Sequence, residues 1–185
     1  MGTWFMIPRL SSDALRPDVA EMLRPRVERL GYLGEFFRCA AHQPAALISF
    51  MAFTDDLKQA LPDRITEIVA LTVSTELGNA YERHQHERLS LKLGFGEVWV
   101  RAVETLHPDS APIDDAERRV QSLTLAVVRR HGHGTANELD AVVSAIGHEQ
   151  AIAVLMLIGR YVTHALMVNA LELKAPVASP LERTE

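Results

Sequence analysis

Three side chains in one stretch of the sequence carry the clearest chemical potential: Glu67, Glu82 and His86. Glu82 and His86 are four residues apart, so on a helix they lie one turn apart on a single stripe. Leu89 and Leu93 continue that stripe at i+7 and i+11, which predicts that it faces the interior and draws the acid and the imidazole inward. A buried ion costs several kcal/mol, roughly, unless it is paired and hydrogen-bonded. A carboxylate one turn from an imidazole supplies the pairing and raises the imidazole toward or above neutrality, a useful range for moving protons. The same spacing also fits a solvated Glu–His pair on an outward face, worth about a few tenths of a kcal/mol. Glu67 interrupts a run of Ile, Val, Ala, Leu and Thr and needs a partner inside or a route to water. It shares a face with Leu71 and Ser74, which suits a buried site and an exposed helix edge equally.

Other reactive residue types read more plainly. His84 points about 160° away from His86 on a helix and is out of reach for shared ligation. Glu67, Glu82 and His86 have ligand types that suit a metal, yet no zinc spacing such as His-Glu-x-x-His is present, and no metal is expected. His131 and His133 flank Gly132 in a predicted solvated loop, His148 starts a helix, and His164 is expected as a packed or interface histidine. Cys39 follows Arg38, which could lower its pKa, but a packing role is the plainer expectation. One cysteine excludes an intramolecular disulfide, a cysteine-based zinc knuckle and a two-cysteine redox centre within one chain. There is no glycine-rich phosphate loop, no nucleophile elbow and no basic–aromatic interleaving.

The elements that must position these residues are helical. Helices are predicted at about 18–30, closed by Gly31; at 34–41; from just after Pro44 to near Leu61; from Pro62-Asp63 to Glu76 or Leu77, stopped by Gly78; at 80–93, ending at Gly94; at 96–107, stopped by Pro108; and at 114–131. Thr135 with Glu138 reads as a capping box for an eighth, and a ninth runs from about His148 to Leu173. Residues 65–73 are rich in β-branched side chains and could form a buried strand, but their length, Pro-Asp start and helical neighbours favour a helix. The expectation is an all-α bundle of eight or nine helices. Its last helix is apolar nearly all round, so it needs cover on several sides, some of it from another subunit.

Composition bounds the function classes. The 185 residues suit one domain, and 48% hydrophobic with 23% charged residues is globular usage. A net charge of −5 argues against a general nucleic-acid binder. The apolar stretch 151–170 is interrupted by Arg160 and His164, so no membrane span is read. Residues 1–9 lack the apolar core of a signal peptide, and a cytoplasmic protein is expected. The organisation reads as an N-terminal helical segment (1–43), a helical core (44–174) and a loose tail (175–185) containing Pro176 and Pro180.

Over residues 44–173, and most sharply over 61–94, the chain resembles the carboxymuconolactone decarboxylase superfamily, which includes the alkylhydroperoxidase D proteins. The resemblance rests on Leu61, Arg64, Glu67, Ile68-Val69-Ala70-Leu71, Asn79-Ala80-Tyr81-Glu82, His86 and Gly94. The peroxidase branch carries Cys-x-x-Cys-x-x-x-His. Here Asn79 and Glu82 stand at the cysteine positions, so thiol–disulfide turnover at this site is chemically impossible, and Cys39 lies outside the motif. The resemblance is to the cysteine-free, decarboxylase-like branch. It implies an alkylhydroperoxidase D-like helical subunit, a homo-oligomer (dimer, trimer or hexamer), a small-molecule substrate and no cofactor. It also implies proton transfer on a small lactone or carbonyl acid. His86 would be the general acid/base, Glu82 would orient and tune it, and Glu67 would complete a relay or bind a hydroxyl. Asn79 and Tyr81 would contact substrate. The cation for a substrate carboxylate stays unassigned, because Arg83 and Arg88 both lie off the Glu82/His86 stripe. Two other readings compete: a thiol peroxidase using Cys39, and a non-enzymatic helical oligomer.

Overall fold

The computed structural model describes residues 7–109 and 111–182. Residues 1–6, where no signal peptide was read, and 183–185 of the tail lie outside the described residues. Among those described there are eight α-helices, one 3₁₀ turn at Ser12–Ala14, and no strand. The helices are α1 (Pro17–Leu30), α2 (Glu35–Ala40), α3 (Pro44–Ala60), α4 (Asp63–Glu76), α5 (Ala80–Lys92), α6 (Glu97–Glu104), α7 (Asp115–Arg130) and α8 (Ala136–Ala170). Prolines open α1 and α3, where a missing N–H costs nothing, and Gly31 closes α1 with its N–H on the Val27 carbonyl at 2.7 Å.

The β-branched stretch is helical. Every residue from Ile65 to Ser74 in α4 is buried, because α5, α6, α7 and α8 all pack around it. Ile68, Leu71, Leu123, Leu157 and Ile158 are among the fully buried side chains of this main core. Each such side chain contributes about 1.5–3 kcal/mol by leaving water. A second apolar cluster lies under α1–α3, where Val19, Leu23, Phe36, Leu47 and Met51 meet Tyr81, Val168 and Leu173. The N-terminal segment therefore packs against α5 and the end of α8.

Of the expectations for the last two helices, one holds and one needs correction. The predicted eighth and ninth helices meet within the stretch Ala136–Ala170 at a kink at Gly147 (φ 81°, ψ 168°), one residue before the expected start at His148. That backbone conformation is nearly exclusive to glycine, so the break is written into the residue type. The Thr135/Glu138 capping box does not form. Thr135 Oγ1 donates to the Gly132 carbonyl at 3.2 Å and Glu138 is drawn to Arg130. A true capping box forms instead at Asp114 and Glu117, at the start of α7.

The tail is not loose as far as Glu182. His84 Nδ1 meets the Val177 carbonyl at 3.0 Å, Arg88 donates to the Ala178 carbonyl at 3.0 Å, and Arg101 donates to the Leu181 carbonyl at 2.8 Å. Ser179 reaches the Glu87 carboxylate, and Leu181 is buried in the main core. Pro and Ser residues suggested looseness, but these backbone carbonyls find cationic or imidazole donors on α5 and α6.

The helix Ala136–Ala170 is long and apolar enough to cross a membrane by length and composition. Here it is a core helix, packed against α3, α4 and α7.

Candidate active site

The fully buried middle of α4 holds Glu67, α5 holds Glu82 and His86, and α8 adds Arg160, Tyr161 and His164. Helix α4 crosses behind α5, so Glu67 Oε2 lies 2.7 Å from His86 Nδ1, with Ser90 Oγ donating to the same oxygen at 3.3 Å. On the other side of the ring, His86 Nε2 lies 3.1 Å from Glu82 Oε2 and 3.2 Å from the Tyr161 hydroxyl. Glu82 Oε1 lies 2.9 Å from His164 Nε2 and 3.6 Å from Arg160 Nη1. The result is a buried chain, Glu67–His86–Glu82–His164. None of its four members is more than 8% exposed.

Neighbouring groups set the protonation states. Burial pushes His86 down, but Glu67 and then Glu82 outweigh it, and the imidazole titrates above its usual range. Each ring nitrogen faces a carboxylate that favours the protonated form. Burial raises Glu82, yet His164, His86 and Arg160 together hold it well below the usual carboxylate range. For His164 burial prevails over the pull of Glu82, so the ring is held below its usual value. Its tautomer follows from Asn79. The Asn79 Oδ1 caps α5 by accepting the Glu82 N–H at 3.2 Å, which leaves Nδ2 to donate to His164 Nδ1 at 3.3 Å. His164 Nε2 therefore bears the proton and donates to Glu82. Burial also raises Tyr161 well above the usual phenol range, so its hydroxyl stays protonated.

His86, Glu82 and His164 open onto a cavity of about 730 Å³ walled by α1, α2, α3, α5, α8 and Val177 of the tail. Phe36, Phe37 and Met51 give it apolar surface, and Arg160 and Lys58 give it charge. That size accommodates a small organic ligand. Glu67 does not line the cavity and meets the site only through His86. Asn79, expected to touch substrate, is also off the wall, 1% exposed; its amide is consumed by the helix cap and His164. Tyr81 does line the cavity, and its hydroxyl accepts the Phe36 N–H at 3.4 Å. A Cβ at position 34 would come within 2.5 Å of that hydroxyl, so only Gly34 leaves room for it.

The inward direction of Glu82 and His86 is as expected, but the reason differs. Leu93 is 39% exposed and Leu89 only half-buried, so an apolar stripe does not draw α5 inward. Polar partners on α4 and α8 do. Arg160, Tyr161 and His164 were missed as site residues. The signal was present: Arg160 and His164 are the polar interruptions in an apolar helix, spaced i, i+4 like Glu82 and His86. Cys39 is 5% exposed within the second apolar cluster, burial pushes its thiol up, and it does not line the cavity. His84 is turned away to the tail, as its helical phase predicts. Among the described residues no group of three or more His, Cys, Asp or Glu is arranged to hold a metal ion.

No family model and no curated protein matches this sequence. Solved structures do match its fold. A peroxidase-related protein from Ralstonia eutropha JMP134, described as an alkylhydroperoxidase AhpD core, superposes with a TM-score of 0.80 at 17% identity, over 91% of this chain and 90% of that one. The apo debrominase Bmp8 gives 0.81 at 17% identity over 97% and 96%. A protein of unknown function from Agrobacterium tumefaciens, a putative antioxidant defence protein AhpD, gives 0.69 at 20% identity over 75% and 96%. The fold is therefore AhpD-like and all-α. The spread of names, from peroxidase-related to debrominase, attaches varied activities to it.

Proposed function

We propose that this protein is a cofactor-free acid–base catalyst of the lyase or isomerase type, acting on a small lactone or carbonyl acid. One observation carries the reading: an imidazole, clamped between two carboxylates and shielded from bulk water, that lines a cavity of about 730 Å³. His86 is the proton donor and acceptor. Glu82 holds its Nε2 face toward the cavity, and Glu67 acts from behind as a positioning residue that keeps the ring charged. In a decarboxylation the carbon–carboxylate bond breaks, its electron pair stays on the substrate as an enolate, CO₂ leaves, and His86 delivers a proton to carbon. Proton transfer by a placed group contributes about 10²–10⁴-fold. No thiol is required, and the buried Cys39 lends no support to the peroxidase alternative.

The test is turnover of a panel of small lactone carboxylates and keto acids in D₂O, followed by NMR for CO₂ loss and for deuterium at carbon. Wild type is expected to exchange or decarboxylate at least one, and His86→Asn to lose that activity. Equal rates in the two proteins would remove the assignment.

Self-association belongs to the same proposal. Ile152, Met156 and Leu166 are 56%, 45% and 60% exposed along one outward stripe of α8, with Gly159 between them open to close approach. A second copy of the chain covering this stripe fits the proposed homo-oligomer, and Leu166→Glu is expected to lower the mass found by sedimentation. A cytoplasmic setting, where a lone cysteine stays reduced, is consistent with this reading.

A further inference from the structure

The cavity beside His86 holds more positive charge than the proposed proton transfer uses. Arg26, Arg29, Lys58, Arg88, Lys92 and Arg160 line it, against the carboxylates of Asp55 and Glu82. In a chain of net charge −5 this is a local reversal of sign. Some of these cations are already engaged. Arg26 Nη2 reaches both Asp55 oxygens, at 2.5 and 2.7 Å, and Arg88 donates to the Ala178 carbonyl.

Arg160 is different. It is 7% exposed, one turn before His164 on α8. Its Nε donates to Thr54 Oγ1 at 3.0 Å, and its Cζ lies 4.4 Å from the centre of the Tyr161 ring and 5.1 Å from that of Phe50. Those contacts fix the guanidinium plane. Its Nη1 is buried with no hydrogen-bond partner, since Glu82 Oε1 at 3.6 Å is too far to accept. A stacked, rigid guanidinium with unused donors is preorganised for a planar oxyanion. Tyr32 lines the same cavity, and its hydroxyl is a second buried polar group without a partner. Lys58 stands one turn from Thr54 on α3, and among the described residues it forms no ion pair. Burial pushes its ammonium below the usual lysine range, Glu67 and Glu82 pull it back, and the like charge of Arg160 pushes the same way as burial.

We propose that Arg160 and Lys58, with the Tyr32 hydroxyl, form a carboxylate subsite that seats an anionic substrate and turns its carbon skeleton toward His86. This rests on the acid–base reading of the site and deepens it by supplying the cation that Arg83 and Arg88 cannot. Arg83 faces Glu87 and the tail, and Arg88, though on the wall, spends its Nε and Nη2 on the Ala178 carbonyl. With Phe36, Phe37 and Met51 on the wall, the ligand class is a small organic acid with an apolar or aromatic body.

Binding, not turnover, is the readout, so a failed relay leaves the result untouched. Benzoate is titrated calorimetrically into the full chain, beside benzamide as its neutral counterpart, and into Lys58→Met and Arg160→Gln. Saturable benzoate binding is expected, with benzamide at least about tenfold weaker and each variant at least about tenfold weaker for benzoate. Lys58 forms no ion pair among the described residues and Met keeps its unbranched length, so Lys58→Met is expected to keep the wild-type unfolding midpoint and decides the matter if Arg160→Gln fails to fold. Equal affinity for benzoate and benzamide, no benzoate binding up to about 10 mM, or unchanged affinity in Lys58→Met overturns the subsite. Lost discrimination with His86-dependent turnover intact sinks the subsite alone. Intact discrimination with turnover indifferent to His86→Asn sinks the relay alone.

Discussion

Two buried carboxylates packed along the first turns of α4 invite comparison. Glu117 on α7 is 1% exposed, and Glu67 on α4 is 2% exposed. Glu117 pairs with Arg64, accepts the Trp99 Nε1–H at 3.0 Å and the Asp114 N–H at 3.1 Å, and so caps its own helix. Burial raises it, but Arg64 and Trp99 prevail and hold it below the usual carboxylate range. Arg64 is in turn stacked 5.0 Å from the Phe95 ring centre and 4.9 Å from that of Trp99. That network closes on itself. Glu67, by contrast, passes its charge through His86 to Glu82 and on to a cavity wall where Arg160 Nη1 and the Tyr32 hydroxyl lack partners. A buried acid with all its neighbours satisfied is architecture, whereas one that feeds a row of titratable groups ending at unsatisfied donors is equipment for a ligand.

The comparison can be broken from either side. The largest effect is expected in His86→Asn, with turnover down about 10²–10⁴-fold and the cavity intact by crystallography. Glu117→Ala is expected to do the reverse. It leaves Trp99 and the half-exposed Arg64 without their acceptor and costs about 1–3 kcal/mol in urea unfolding, while the rate per folded molecule holds. If Glu117→Ala instead lowers the rate without lowering stability, the division between the two networks is wrong. Asn79→Ala sits between them. Loss of the cap costs about 0.5–2 kcal/mol, and His164 loses the bond that fixes its tautomer, so both stability and turnover are expected to fall modestly.

The smallest effect is in pH. His86 is raised in the folded chain above its reference value of 6.5, so its contribution to stability is complete below 6.5 and fades as pH climbs through the folded value. His164 is lowered from 6.5, so its contribution is complete above 6.5 and fades as pH falls. Glu82 is lowered from 4.5, so its share is intact until the pH drops below that reference. The stabilisation contributed by the site thus peaks near 6.5. The stability gap between wild type and His86→Asn should narrow as urea midpoints are followed upward from there; a widening gap would mean that the ring is neutral in the folded chain.

Much of the fold was legible in the sequence because prolines and glycines punctuate it. Pro44, Pro62, Gly31, Gly78 and Gly94 bound helices within a residue or two of where they lie. The i, i+4 spacing of Glu82 and His86, and the isolation of Glu67 in an apolar run, pointed to the residues that meet. Which third helix would meet them was not legible. Spacing reports phase within one helix, but it says nothing about which helices are neighbours. Arg160 and His164 therefore read as interruptions in a greasy segment rather than as partners for Glu82. Asn79 was assigned to substrate through the family resemblance alone, when its amide is spent on the start of α5 and on His164. The tail misled because backbone carbonyls, which every residue carries, do the anchoring there, and composition is blind to them.

The kink at Gly147 has a consequence for how the site could change. Everything downstream of it on α8 turns as a unit, and a helix advances about 100° per residue. A single residue gained after the pivot would therefore swing Arg160 and His164 off the cavity together and bring the outward apolar stripe round in their place. Loops elsewhere can drift in length without reaching the chemistry, but the count of residues between 147 and 160 cannot.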